Sequence, residues 1–92
     1  MYVTPIKGRI QIIGEDIDII IDDEKCDHED ADGLYQHKTI YLRSEYPSVK
    51  EYAYVYRHEC FHALCDLLGI QLDIHTEEVL AHRVSHMITY EI

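Results

Sequence analysis

The chain has 92 residues, enough for one small domain with a modest core. Eighteen acidic against eight basic side chains give a formal net charge of −10, which argues against direct nucleic-acid binding and against an anionic membrane surface. No apolar run reaches the length of a membrane span, and the start Met1-Tyr2-Val3-Thr4-Pro5-Ile6-Lys7 lacks the basic and apolar regions of a signal peptide, so a cytoplasmic protein is expected.

In chain order, Arg9–Ile13 and Asp16–Ile20 alternate as strands around Gly14-Glu15, which reads as a two-residue hairpin turn with glycine first. Residues 22–32 are acidic and weakly patterned. Their carboxylates lack the spacing, glycine and final glutamate of an EF-hand, so a solvated loop is expected. Gly33–Gln36 and Thr39–Arg43, joined at His37-Lys38, form a second pair of short strands. Residues 39–43 are the candidate edge to which an extended peptide would add.

Ser48 and Glu51 make a capping box that opens a long helix, with Gly69 suited to its C′ position. A short connector follows, then Thr76 as N-cap of a last helix reaching Tyr90. The expected class is α+β: a small antiparallel sheet of about four short strands with two helices packed on it. The three cysteines, Cys26, Cys60 and Cys65, are odd in number, and two lie on the long helix. They read as reduced thiols filling small core positions.

The long helix carries His58-Glu59-Cys60-Phe61-His62. Four residues apart, His58 and His62 project from one helical face and can share a metal ion. Glu59 stands beside that face, where it can take a proton from metal-bound water without ligating the metal. The flanks are apolar, and burying two histidines and a glutamate among them is costly unless something satisfies them. Zinc would do so.

A third ligand is needed, and Glu77 and Glu78 open the last helix fifteen and sixteen residues after His62. Leu80, Ala81, Val84, Met87 and Ile88 make the apolar stripe of that helix. Glu77, one turn before Leu80 and Ala81, is favoured as the ligand. Glu78 points along the side of His82 and Ser85 and is the alternative. Asp66, one turn beyond His62, is placed to accept a hydrogen bond from a ligand imidazole. His82 and His86 form a second pair at helical spacing, and one of them, or His37, is a candidate to steady an oxyanion. His28 and His75 read as loop residues.

The runs Asp32-Gly33-Leu34-Tyr35, Lys38-Thr39-Ile40-Tyr41-Leu42-Arg43-Ser44, Arg57-His58-Glu59-Cys60-Phe61-His62-Ala63-Leu64 and Thr76-Glu77-Glu78-Val79-Leu80 resemble the small phage and prophage zincin-like proteins. These are related to the ImmA/IrrE-type metallopeptidases, a gluzincin group in which a helix-borne glutamate completes the site. The stretch from His58 to Asp66 is also similar to the thermolysin-type pattern HExxHxxxD. The resemblance covers about two-thirds of the chain, from Asp32 onward. It implies a minimal zincin-like fold in one metallopeptidase domain over residues 1–92. It further implies zinc held by His58, His62 and Glu77 or Glu78, Glu59 as general base, and a protein or peptide substrate. The contrasting expectation is a non-catalytic domain of phage or mobile-element origin, stapled by zinc, that binds another protein.

Overall fold

The computed structural model describes residues 2–87, with side chains as far as Ser85. Its elements are β1 (Gly8–Ile12), β2 (Glu15–Ile21), α1 (Asp23–His28), β3 (Gly33–Gln36), β4 (Thr39–Leu42), α2 (Val49–Leu67) and α3 (Ile74–Met87). The strands form one sheet in the order β1-β2-β4-β3. The class is α+β, as expected. Both hairpins, β1–β2 and β3–β4, are antiparallel, and a parallel pairing of β2 with β4 joins them.

That parallel seam makes β4 an interior strand, so residues 39–43 are not the edge expected from sequence. The open edges are β1 and β3. Composition explains which strand of the second hairpin goes inside: Ile40 and Leu42 of β4 are completely buried, whereas β3 offers no side chain as deeply covered. One face of the sheet, with Ile17, Ile19, Ile40 and Leu42, packs under α2 around Val55 and Tyr46. The other face is polar on the β1–β2 hairpin, where Arg9 meets Asp18 at 2.9 Å and Gln11 meets Asp16 at 3.2 Å across the strands.

The first turn is Ile13-Gly14, one residue earlier than Gly14-Glu15, with φ of 45° and 82° and Ile12 paired to Glu15. Both registers place Ile10, Ile12, Ile17 and Ile19 on the same face, so the hydrophobic pattern does not separate them. Turn geometry does: left-handed φ at both central residues matches the twist of the strands. The exposed Ile13 accepts the strain that a β-branched residue feels there.

Residues 22–32 are not all loop. Asp22 caps α1 by accepting from the Lys25 amide at 3.0 Å, and Cys26 is completely buried beneath it. Lys25 lies 4.9 Å over the Tyr41 ring, and Arg43 binds Asp27 at 2.6 Å and the Ala31 carbonyl at 2.8 Å. One buried anchor and a good cap are enough for a six-residue helix that docks on the strand beside it.

Ser48 caps α2 as read, accepting from Glu51 N at 3.2 Å. Gly69, at φ 67°, closes its other end in a Schellman motif: Ile70 N donates to Cys65 O and Gly69 N to Asp66 O. Asp73, rather than Thr76, caps α3; it accepts from Thr76 N at 2.9 Å and Thr76 Oγ1 at 2.7 Å. The helix therefore starts three residues earlier than expected, because aspartate accepts from both groups at once. Its expected end at Tyr90 lies outside the described residues. Of the expected apolar stripe of α3, Ala81 is buried and Val84 half-buried, Leu80 is exposed, and the Met87 side chain and Ile88 lie outside the described residues. Ala81 and Ser85 are completely buried, while Val79 and Leu80 are exposed. Small residues let α3 come close, and Arg57 of α2 clasps the Ser85 carbonyl with two donors at 3.0 and 2.8 Å. Among the described residues, no helix is long and apolar enough to cross a membrane.

Close approach also governs the edge strand. A methyl at Gly33 would stand 2.6 Å from Val55 Cγ1 and 3.3 Å from Tyr41 O. Val55 is buried and its branched side chain cannot swing aside. Gly33→Ala is therefore expected to destabilise the fold by about 1–3 kcal/mol in urea unfolding, and Val55→Ala in the same chain to recover part of the loss.

Candidate metal centre

Helix α2 runs beside the β3 edge, and α3 folds back across it, so a groove of about 860 Å³ opens between β3, α2 and the start of α3. His58 and His62 lie on its floor, one turn apart, with ring centroids 4.9 Å from each other. The Glu78 carboxylate enters from α3. One oxygen is 3.1 Å from His58 Nε2, and the other is 3.0 Å from His62 Nε2. One donor atom from each of the three residues lies within 4.8 Å of the others. Tetrahedral zinc needs ligand atoms about 3.4 Å apart, so this set converges at the right scale.

Glu77, the glutamate favoured from sequence, reaches the opposite side of the same ring: its carboxylate is 2.5 Å from His62 Nδ1. Both nitrogens of His62 thus face carboxylates. A neutral imidazole has one N–H and can serve only one of them. A cation at Nε2, with Nδ1–H donating to Glu77, satisfies the arrangement and is the usual carboxylate–histidine–metal pattern. The donor set therefore fits zinc. His58 Nδ1 is buried without a hydrogen-bond partner among the described residues. Packing orients that ring instead, between Tyr54 at 5.7 Å and His62.

Glu59 projects from the same turn of α2 into the groove yet is only 6 % exposed. Burial pushes its carboxyl up to about 7, against the lowering pull of His62 and of the Tyr35 backbone N–H that it accepts. Tyr35 sits on β3, so this bond ties the motif to the sheet edge. His58, by contrast, is lowered from its ordinary value, first by burial and against the raising effect of Glu78.

The remaining candidates divide. Asp66 does not reach either histidine; it accepts from Tyr35 Oη at 2.7 Å and so braces the edge strand. His37 lies in the β3–β4 turn and borders the groove. His28 is the last residue of α1 and His75 lies in the first turn of α3, so neither is in a loop. His82 Nδ1 is 2.7 Å from Tyr54 Oη, while the His86 side chain lies outside the described residues. Burial raises all three cysteine thiols, Cys60 to about 11, which suits inert core residues. Tyr54 and Tyr35 escaped the sequence reading. Tyr54 carries the only signal: it continues the 54–58–62 stripe one turn before the motif.

Comparison with models of known protein families, with curated proteins and with solved structures finds no match to this chain.

The raised carboxyl of Glu59 sets a pH dependence for the metal-free protein. A folded-state value near 7 against an ordinary 4.5 means the folded chain holds this proton more tightly than the unfolded one. The penalty is absent below about 4.5, grows as pH rises to about 7, and is full above that. In urea unfolding with chelator present, Glu59→Gln should be more stable than the parent at pH 8 by about 2–3 kcal/mol and no more stable at pH 4.

Proposed function

We propose that this protein is a zinc-dependent metallopeptidase of gluzincin type, with His58, His62 and Glu78 as ligands, Glu77 orienting His62 and Glu59 as general base. The observation that carries the reading is the meeting of both histidine Nε2 atoms with one carboxylate from a separate helix, beside a buried glutamate and an open strand edge. The resemblance to phage and prophage zincin-like proteins points the same way.

When bound, zinc supplies Lewis acidity, polarising a peptide carbonyl and bringing the pKa of a water near neutrality. Glu59 accepts the proton of the attacking water and passes it to the departing amine. Its N–H bond from Tyr35 holds the carboxylate at the junction of helix and strand, where an extended peptide lying on β3 would present its carbonyl. The hydroxyl of Tyr54, borne one turn before His58 and paired with His82 Nδ1, is the group we assign to the developing oxyanion. The substrate is a protein or peptide rather than nucleic acid, consistent with the charge of −10, and three free cysteines suit a reducing, cytoplasmic setting.

One observation favours a second reading, a zinc-stabilised interaction domain without catalysis. Few of the described side chains of α3 are buried, and the centre bridges α3 to α2, so zinc would staple a small fold.

Elemental analysis of untagged protein should find about one equivalent of zinc, lost in His58→Ala and kept in Glu59→Gln. Peptidase activity that disappears in Glu59→Gln with zinc retained supports the enzyme. Zinc retained with no turnover of a broad peptide library by the parent leaves the staple, and no zinc in any form removes both readings. Tyr54→Phe should lower kcat by about 100-fold with zinc content and KM nearly unchanged.

A further inference from the structure

The groove has two unlike ends. At one, beside the start of β3, stand Glu29 and Asp32, both exposed. At the other lie Ile70 and the 84 %-exposed Ile74. Among the described residues that line it there are six carboxylates and not one lysine or arginine. Glu59, Glu77 and Glu78 belong to the centre, and Asp66 is held by Tyr35. Glu29 and Asp32 have no part in either arrangement. The cation nearest to Asp32 is Arg43 at 3.9 Å, and its shorter bonds go to Asp27 and the Ala31 carbonyl.

The strand edge sets the spacing of a bound peptide. Counted from the two-residue turn, Gln36 and Leu34 exchange their hydrogen bonds with Thr39 and Tyr41. Gly33 and Tyr35 therefore turn their backbone groups outward, along the groove; the Tyr35 N–H is taken by Glu59, so its carbonyl and the Gly33 groups are what a peptide would pair with. Tyr35, opposite Glu59, marks the level of the centre, and Asp32 lies three residues back along the chain. At about 3.3 Å per residue this is ~10 Å, the reach of three residues of a peptide paired to that edge.

We infer that the groove selects extended peptides bearing a lysine or arginine about three residues from the scissile bond, received by Glu29 and Asp32, with an apolar residue toward Ile70 and Ile74. The inference rests on the peptidase reading for the words scissile bond, but charge selection by the groove is testable without turnover.

The test uses the full chain carrying Glu59→Gln, zinc-loaded and chelated in parallel. The probes are two fluorescein-labelled peptides of equal length, identical except that arginine in one is glutamate in the other, followed by fluorescence anisotropy. The arginine peptide should bind at least about tenfold more tightly at low salt, and the advantage should shrink in 0.5 M salt, a concentration at which charges are screened within about 4 Å. Glu29→Lys with Asp32→Lys, both at exposed positions, should abolish or invert the preference while the circular dichroism spectrum is unchanged. Equal binding of the two peptides, or a preference that survives the double substitution, overturns the inference. Zinc content measured on the same samples keeps the two questions apart. One equivalent of zinc without charge preference defeats the inference and leaves the peptidase reading standing. Charge preference without zinc does the reverse.

Discussion

Helix α2 has to bury a polar stripe, and the rest of the molecule is arranged around that demand. His58, Glu59 and His62 lie on a helix whose neighbouring turns pack against a sheet, so none of the three can turn fully to water. Each partly buried polar group needs a partner or it destabilises the fold by an amount comparable to a lost hydrogen bond. The partners come from two directions. The edge strand β3 offers the Tyr35 amide to Glu59, and α3 brings Glu77 and Glu78 to the histidines. Removing either element would leave charge or hydrogen-bonding capacity stranded under the groove.

The two adjacent glutamates divide the work because successive residues on a helix point about 100° apart. Glu77 and Glu78 stand on either side of the Ala81–Ser85 direction, and the Glu78 carboxylate arrives between the two Nε2 atoms. Glu77 comes in from the flank and takes the remaining nitrogen of His62. Carboxylates for His58 and for both nitrogens of His62 thus come from a single turn. The close seating that allows this depends on the smallness of Ala81 and Ser85 and on the Arg57 clasp at the Ser85 carbonyl.

Fold and centre are for that reason hard to separate energetically. The sheet and α2 have a continuous apolar core, reinforced by Tyr46, whose hydroxyl donates to the Asp32 carbonyl and accepts from Arg43 N. Among its described side chains, α3 buries only the small Ala81 and Ser85 fully, with Val79 and Leu80 left exposed. What seats it is largely polar: the Arg57 clasp, the Tyr54–His82 pair and the carboxylates at the histidines. A cation that draws those carboxylates and imidazoles together would order α3 as well as activate water.

The sequence by itself determined what depends on near neighbours. The pairing of His58 with His62, the Ser48 cap, the Gly69 stop and the two local hairpins are set within a few residues, where helical and strand periods leave little choice. The candidate ligands were legible for the same reason. Tertiary structure decided what depends on which surfaces meet. It placed β4 inside and β3 at the edge, because Ile40 and Leu42 outbid β3 for burial across a parallel seam that no local pattern signals. It also made Ala81 and Ser85, not Leu80, the docking face of α3, since the closeness of two helices follows from small side chains rather than large ones. The seating of α3 also decides what each glutamate meets: Glu78 reaches both Nε2 atoms and Glu77 reaches His62 Nδ1, a difference of about 100° around a helix axis that the pattern does not show.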